Sequence, residues 1–191
     1  MRHLSRILFV LLIAGVVAAS LGVASNAIWT DSADVDANVF STGTLDISTD
    51  PTTAVVTYTD MAPGDSTGGQ SLTVSNDGSL DLRYAVTMTA DNTDLKGLYA
   101  ELDLTIREEG TDCTTFDGTV LYGPAAPFVL SGDLIGDPTP GEDTDDRPLV
   151  ASDDEVLCFN VDLPLGALNS VQDASTTAVF TFEAEQTDNN P

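Results

Sequence analysis

Histidine is almost missing from this sequence of 191 residues, since the only one, His3, lies at the amino terminus. The rest of the chain therefore has no Ser-His-Asp triad, no Cys-His pair and no His-Glu-x-x-His zinc motif. The Asp-Thr-Gly and Asp-Ser-Gly signatures of aspartic peptidases are absent, and no Gly-rich phosphate loop opens a helix. Two carboxylates acting together, as in glycosidases, are compatible with the composition, but no pair stands out among 31 acidic residues. We therefore expect no enzyme and no cofactor.

Positive charge is nearly as scarce, with 6 Lys and Arg against 31 Asp and Glu and a formal net charge of −25. Arg2 and Arg6 lie at the amino terminus, so residues 28–191 carry 4 basic against all 31 acidic residues, a formal charge of −27. Such a surface repels nucleic acid and anionic lipid, and we expect neither as a partner. The favoured interpretation is solubility in salty surroundings, and cation binding by Asp clusters is the alternative.

Long apolar runs are confined to the amino terminus. A short basic stretch is followed by Ile7–Ala19, which carries no charge. That length is typical of a signal peptide and falls short of the roughly 20 residues of a membrane span. Ser25-Asn26-Ala27 fits the small-x-small cleavage rule, with Gly22-Val23-Ala24 as second choice. We predict a signal peptide at 1–27 and a secreted domain, extracellular or on the cell surface, at 28–191; an uncleaved anchor is the alternative.

Helical periodicity is missing from the predicted mature chain, whereas apolar and polar residues often alternate with period two. This alternation predicts strands with one buried and one solvated face. Seven segments show it or are rich in β-branched residues: 44–48, 53–59, 71–75, 80–89, 102–107, 156–163 and 178–184. Helical turns are predicted only at 94–98 and 165–169. The pattern predicts an all-β protein, an antiparallel β-sandwich of the jelly-roll type.

A segment rich in Asp, Pro and Gly, 132–154, is predicted to be a long surface loop. Carboxylates that offer oxygen ligands cluster in and beside it: Glu142, Asp143, Asp145, Asp146, Asp153, Asp154 and Glu155. Their spacing does not match the EF-hand pattern. A solvated loop is favoured over a specific calcium site, and we predict no metal ligands.

Cysteine occurs twice, at Cys113 and Cys158. An even count in an exported chain predicts a disulfide, and two separate buried thiols are the alternative. In the chain-entropy model, closing a loop of this length stabilises the fold by roughly 4 kcal/mol.

Residues 28–40, directly after the predicted cleavage point, have the pattern of an amphipathic strand. Apolar side chains alternate with Asp34, Asp36 and Asn38. Such a strand can fold onto its own sheet or pair with an open edge of another copy. The residues alone favour the intramolecular alternative. The side chains assigned to the candidate donor strand are Trp29, Val35, Ala37, Val39 and Phe40.

Three stretches of the chain resemble the TasA/camelysin family of exported bacterial matrix proteins. The first is W-T-D at 29–31 with F-S-T-G-T-L-D at 40–46. The second is P-G-D at 63–65 with N-D-G-S-L at 76–80, and the third is F-T-F-E-A-E-Q at 180–186. The stretches cover both ends of the predicted mature domain in the family's order.

The resemblance implies a jelly-roll sandwich, export through a dedicated type I signal peptidase and assembly into extracellular fibres of a biofilm matrix. In such fibres the amino-terminal strand of one subunit completes the sheet of its neighbour, and by position that donor strand is 28–40. The resemblance shifts the preference to the intermolecular strand. The expected partner is another copy of the chain, with other matrix proteins as further candidates and membrane contact only through the signal peptide.

Two other functions stay open. One is a monomeric surface or adaptor protein whose amino-terminal strand lies in its own sheet. The other, less favoured, is a secreted hydrolase, because camelysin relatives are classed as metallopeptidases. The lack of histidine outside the leader speaks against the second.

Overall fold

The computed structural model describes residues 41–141 and 144–190, which form two antiparallel β-sheets packed face to face. The predicted signal peptide at 1–27 and candidate donor strand at 28–40 lie outside the described residues. The strands are β1 (Ile47–Asp50), β2 (Gln70–Asn76), β3 (Leu82–Ala90), β4 (Asp103–Glu108), β5 (Val120–Pro127), β6 (Ser131–Ile135), β7 (Arg147–Leu149), β8 (Asp154–Asp162) and β9 (Ala178–Gln186). The predicted all-β sandwich is confirmed.

Five strands form the larger sheet in the order β1-β2-β8-β4-β5. In the smaller sheet β3 is central. It pairs with β9 along its whole length, from Leu82 opposite Gln186 to Ala90 opposite Ala178. On its other side it pairs with β7 at 82–84 and with β6 at 86–89, so β6 and β7 lie one after the other along one edge.

The core lies between the sheets and is built from alternate residues of each strand. On β8, Leu157 and Phe159 are fully buried, while Asn160 is only half-buried. On β3, Tyr84, Val86 and Met88 point inward against them. Burial of these apolar side chains is the main force that holds the two sheets together.

The strand directions sort the loops into two ends of the sandwich. The near end, where the described chain starts, carries residues 41–46 and the loops 77–81, 109–119, 136–146 and 150–153. The far end carries the loops 51–69, 91–102, 128–130 and 163–177. Backbone hydrogen bonds from Ser79 and Leu80 to the Thr44 carbonyl hold the first described residues against the near end.

A disulfide fastens the loop 109–119 over the outer face of the larger sheet. It joins Cys113 to Cys158 of β8, with 5.1 Å between their Cα atoms, and confirms the predicted pairing. The Arg107 guanidinium lies 5.1 Å from the centre of the Phe116 ring and donates to the Gly118 carbonyl. Bridge and cation–π contact together keep this loop on the sheet.

A partly buried ionic network joins the two sheets near that loop. The Tyr84 hydroxyl of β3 donates to Glu155 Oε1 of β8 at 2.5 Å. Arg147 of β7 donates to Glu155 Oε2 at 2.5 Å and to Glu108 Oε1 at 2.7 Å. Burial, followed by the charge of Glu155, raises the pKa of Tyr84. The phenol therefore stays protonated and remains a donor.

Two predictions about single segments are wrong. Residues 53–59 form no strand, because their apolar side chains Val55 and Val56 pack on the core from irregular backbone. The predicted loop 132–154 contains most of β6 and all of β7, which both pair with β3. These strands have five and three residues, too few to show an alternation of apolar and polar side chains in the sequence. β5 was not predicted, because Gly123-Pro124 interrupts its pattern.

The helical turns lie slightly later than predicted, as short 3-10 turns at Leu98–Ala100 and Asn169–Val171. Over the stretches 41–141 and 144–190, no helix has the length and apolar character required to cross a membrane.

Candidate strand-acceptor groove

The exposed edges of the two sheets differ sharply in how open they are. β1 has four residues and is followed by Pro51, and β5 is interrupted by Pro124. β6 and β7 are short, and β7 contains Pro148. Short strands and prolines are the usual protection of an edge against pairing with another chain. β9 has none of this protection.

β9 spans nine residues, Ala178–Gln186, with neither Gly nor Pro. It pairs with β3 without a register shift. Within the described part of the chain, no strand pairs with its second edge. In an antiparallel pair, alternate backbone groups of an edge strand point away from the partner, so β9 presents a row of donors and acceptors that another strand can bind.

A groove of about 1110 Å³, lined by both apolar and polar side chains, lies beside the first half of β9. Core side chains from both sheets line its floor, among them Leu72, Leu102, Phe128, Val161, Leu163 and Phe180. Its rim is formed by the irregular segment 51–61 and by the loop 163–177 at the far end. The groove therefore lies against the edge of the hydrophobic core, with the half-buried Phe180 next to an unprotected strand edge.

Two phenylalanines of β9 form one wall of this groove. Phe180 packs on Phe159 with 5.1 Å between ring centres, and Phe182 packs on Tyr84 at 5.9 Å. Phe159 and Tyr84 are fully buried, but Phe180 and Phe182 are only half-buried although they point inward. A further layer of apolar side chains in the groove would complete their burial.

The opposite rim is the segment 51–61, where a strand was predicted. Val55, Val56 and Met61 pack against the core, whereas Tyr58 is 47% exposed. The Tyr58 hydroxyl donates to Asp65 Oδ2 at 3.4 Å, which attaches the segment to the turn that precedes β2. This rim is held by side-chain packing and not by a strand ladder.

Each of the four basic side chains in the described residues forms an ion pair, a hydrogen bond or a cation–π contact with another residue of the same fold. Arg83 pairs with Glu185 at 2.5 Å, and Arg147 pairs with Glu108 and Glu155. Arg107 lies over Phe116, and Lys96 donates to the Gln172 and Asp173 carbonyls. The fold therefore supplies little positive charge to offset repulsion between two copies.

The sequence-predicted site residues fall into two groups. Trp29, Val35, Ala37, Val39 and Phe40 lie outside the described residues, and their role stays a prediction. Cys113 and Cys158 are brought together in the disulfide. The acceptor side was missed, although the 178–186 alternation, with two phenylalanines on one face and no Gly or Pro, carries its signal.

Some acidic residues in and beside the segment 132–154 serve as structural partners. Asp146 Oδ1 accepts from the Asp137 backbone N–H, and Glu155 binds Tyr84 and Arg147. Glu142 and Asp143 lie outside the described residues. Among the residues that the structure describes, no three His, Cys, Asp or Glu side chains are grouped so as to hold a metal ion.

Comparison with known families gives one match. The sequence model of the family described as camelysin metallo-endopeptidase matches residues 6–111, more than half of the chain. No curated protein and no solved structure matches. The side chains of the described residues do not fit the zinc site of a metallopeptidase. Both cysteines form the disulfide, and the only histidine, His3, lies outside the described residues.

Proposed function

The chain belongs to the camelysin metallo-endopeptidase family, which includes TasA, and from this premise we propose that it is a secreted structural subunit. Subunits assemble into extracellular fibres, in a biofilm matrix or on the cell surface, when residues 28–40 of one copy add a strand to the next. The chain acts in this role without catalysis and without a cofactor. Its main partner is another copy of itself.

The observation that carries this proposal is the unprotected nine-residue edge of β9 beside a groove that reaches apolar core side chains. Strand addition to an exposed sheet edge is an established mode of recognition, in which backbone hydrogen bonds give affinity and pockets for alternate side chains give specificity. β9 supplies the hydrogen-bonding edge, and the groove supplies the pocket.

The candidate donor strand has the composition that this acceptor requires. Val35, Ala37 and Val39 fall on one face, while Asp34, Asp36 and Asn38 fall on the other. With the apolar face in the groove, the acidic face stays in water. Full burial of a valine stabilises by roughly 1.5–3 kcal/mol, and each new hydrogen bond adds about 0.5–1.5 kcal/mol.

High negative charge sets the conditions for assembly. The predicted mature chain has a formal charge of −27, and its basic residues are engaged within the fold. Two copies therefore repel each other until salt or divalent cations screen them. This repulsion also limits random aggregation through the open edge of β9.

The monomeric alternative uses the same groove. The 13 residues of 28–40 span about 43 Å when extended, which is longer than the roughly 30 Å of β9, so the segment has the reach to cover its own groove. A single copy closed in this way has no free edge and does not polymerise.

Deletion and re-addition of the donor strand separate the two functions. We expect protein 28–191 to form oligomers at high concentration and high salt, and protein 41–191 to remain monomeric by light scattering. A peptide of residues 28–40 should bind protein 41–191. A peptide with Val35→Asp and Val39→Asp is the matched control and should not bind. A protein 28–191 that stays monomeric at all concentrations, salts and pH values would overturn the fibre proposal.

A further inference from the structure

Two carboxylates face each other across neighbouring strands of the larger sheet. In the register of β4 and β8, Asp103 lies directly opposite Asp162. Both side chains belong to the outer face of the sheet, because their neighbours Leu104 and Val161 point into the core. Directly opposed residues on one face of an antiparallel pair have Cβ atoms about 4.5–5.5 Å apart, so like charges at these positions destabilise the pairing.

Asp162 has a hydrogen-bond donor within the fold. Asn160 Nδ2 donates to Asp162 Oδ2 at 2.8 Å, and Asn160 Oδ1 accepts from the Ser66 hydroxyl at 2.9 Å. Ser66 also forms an isolated β-bridge with Asp162, on the side of β8 that faces away from β4. This polar chain holds the Asp162 carboxylate from the β2 side and leaves its β4 side to Asp103.

Asp103 has no comparable donor among the described residues. Its carboxyl group is half-buried, and burial, followed by the charge of Asp162, raises the pKa of Asp103 above its usual 3.8. By contrast, hydrogen bonds from backbone N–H groups lower the pKa of Asp94 and Asp117. The surroundings of Asp103 therefore disfavour its ionised form.

No ion pair of the described residues offsets the two negative charges. Across from Asp103 on its other side, β5 places Pro127. The basic residue on the same face of β4 is Arg107, whose guanidinium is engaged with the disulfide-bound loop. The charged residues of the adjoining segments, Asp65 and Glu101, add further negative charge. The pair can therefore be relieved by a proton but not by a neighbouring side chain.

We propose that Asp103 and Asp162 form a pH-sensitive switch in the larger sheet. When both are ionised, they repel each other across β4 and β8. When the pH falls, Asp103 takes up one proton from water and its hydroxyl donates to the Asp162 carboxylate, so a charge-assisted hydrogen bond replaces the repulsion. The switch is a property of the folded subunit itself and does not depend on strand donation.

The switch lies behind the floor of the groove. β4 begins at Asp103 and β8 ends at Asp162, so the two residues are the last pair of this ladder at the far end. Leu102 and Leu163, their neighbours in the sequence, are buried and line the groove. Uptake of the proton therefore strengthens the part of the larger sheet that carries the groove floor.

The pH dependence of this pair is opposite to that of Glu108. A carboxyl group with a raised pKa in the folded state contributes stability that is fully present below the unfolded pKa of 3.8 and is lost as the pH rises through the folded pKa. Glu108, whose pKa is lowered, loses its contribution as the pH falls. Mild acid therefore strengthens the sheet at Asp103 before stronger acid weakens the network at Glu108.

The variant Asp103→Asn tests the switch in protein 28–191, because it removes the repulsion at every pH. We expect its melting temperature to exceed that of the wild type by about 1–4 °C near neutral pH and to equal it below pH 3.8. Asp133→Asn is the matched control, since it removes the same charge from an exposed position of β6 that lies opposite Thr87. This control should shift the melting temperature by less than about 1 °C at both pH values. An equal gain for Asp103→Asn at both pH values, or no gain near neutral pH, would overturn the switch.

Carbon NMR of the carboxyl groups follows the proton directly and keeps the test open if the variant folds poorly. In the wild-type protein 28–191, we expect Asp103 to titrate with a pKa above 3.8, and in Asp162→Asn we expect this pKa to move down toward 3.8. The same pKa of Asp103 in both proteins would show that Asp162 does not share the proton and would overturn the proposal.

Discussion

The rings of Phe159 in β8 and Phe180 in β9 lie 5.1 Å apart at an angle of 59° and join the two sheets at the wall of the groove. Phe159 is fully buried, whereas Phe180 is only half-buried and lines the groove. The pair thus places part of the contact between the sheets at the open edge.

Truncation of Phe180 should therefore affect two properties. Phe180→Ala removes an inward-facing ring that is partly exposed, so we expect a loss of about 1–3 kcal/mol in the free energy of unfolding, less than for a fully buried Phe. Binding of the 28–40 peptide should weaken at least about tenfold, because the wall it packs on is lost. Urea unfolding and calorimetric titration measure the two effects.

Thr181→Ala is the control for this change, because Thr181 lies on the exposed face of the same strand. It should alter the free energy of unfolding by less than about 0.5 kcal/mol and leave peptide binding unchanged. Equal peptide affinity for Phe180→Ala and the wild type would contradict the placement of the donor strand in this groove.

Crosslinking should reveal the direction of the donated strand. Thr44 lies at the near end of the fold, so a donated strand that enters the far end of the next subunit would run antiparallel to β9 and bring Asn38 close to the exposed Val179. The first variant is therefore Asn38→Cys with Val179→Cys. We expect thiol crosslinking of this double variant to give a ladder of covalent oligomers. Asn38→Cys with Glu183→Cys should not give that ladder, since Glu183 lies further along β9. Intramolecular crosslinking of the second variant, in monomers, is the result expected from a segment folded back in parallel.

Removal of the disulfide should destabilise the fold without affecting the groove. Cys113 and Cys158 are 45 residues apart, so their bridge should contribute roughly 4 kcal/mol in the chain-entropy model. We expect Cys113→Ala with Cys158→Ala to lose about that much in urea unfolding and to bind the donor peptide with unchanged affinity. The bridge lies under loop 109–119, outside the groove lining. A loss under about 1 kcal/mol would show that the loop is held mainly by other contacts, such as the Arg107–Phe116 stack.

Acid should weaken the ionic network between the sheets. The hydrogen bond from Arg147, followed by one from Thr119, lowers the pKa of Glu108 below its usual 4.5. A carboxylate with a lowered pKa in the folded state stabilises the fold above the unfolded pKa, and this contribution is lost as the pH falls below 4.5 through the folded pKa.

The variant Glu108→Gln should therefore show a shallower fall of melting temperature than the wild type as the pH is lowered below 4.5. Thermal unfolding across this range measures the difference. Parallel curves for the two proteins would mean that Glu108 does not contribute to acid sensitivity.

Salt should promote assembly more strongly than it promotes peptide binding. The full subunits carry a large negative charge, whereas the 28–40 peptide carries only Asp31, Asp34 and Asp36 as charged side chains. Raising the ionic strength shortens the screening length from about 30 Å at 0.01 M to about 3 Å at 1 M. We expect light scattering to show faster assembly of protein 28–191 over this range. An assembly rate that does not depend on salt would contradict the electrostatic barrier.

The parts of the fold with strong periodicity were predictable from the sequence. The segments 71–75, 80–89, 102–107, 156–163 and 178–184 correspond to β2, β3, β4, β8 and β9, because each has one buried and one solvated face. β6 and β7 depend instead on pairing with β3. That is a tertiary effect with no local pattern.

The prediction of a strand at 53–59 is wrong for the opposite reason. Their β-branched side chains favour extended backbone, yet Val55 and Val56 are used to pack on the core beside the groove, without a strand partner among the described residues. The amphipathic pattern at 28–40 predicts a donor strand, and this prediction lies outside the described residues. The acceptor was not predicted, because the 178–186 alternation indicates a strand, whereas the sheet edge that stays unprotected is decided only when the two sheets assemble.

Electron microscopy of concentrated protein 28–191 in high salt, at a resolution that shows strands, tests strand donation most directly. We expect fibres in which a strand from the neighbouring subunit lies along β9, antiparallel to it, with Val35, Ala37 and Val39 against Phe180. Monomeric particles only, or fibres in which the edge of β9 is empty or covered by residues 28–40 of the same subunit, would contradict it.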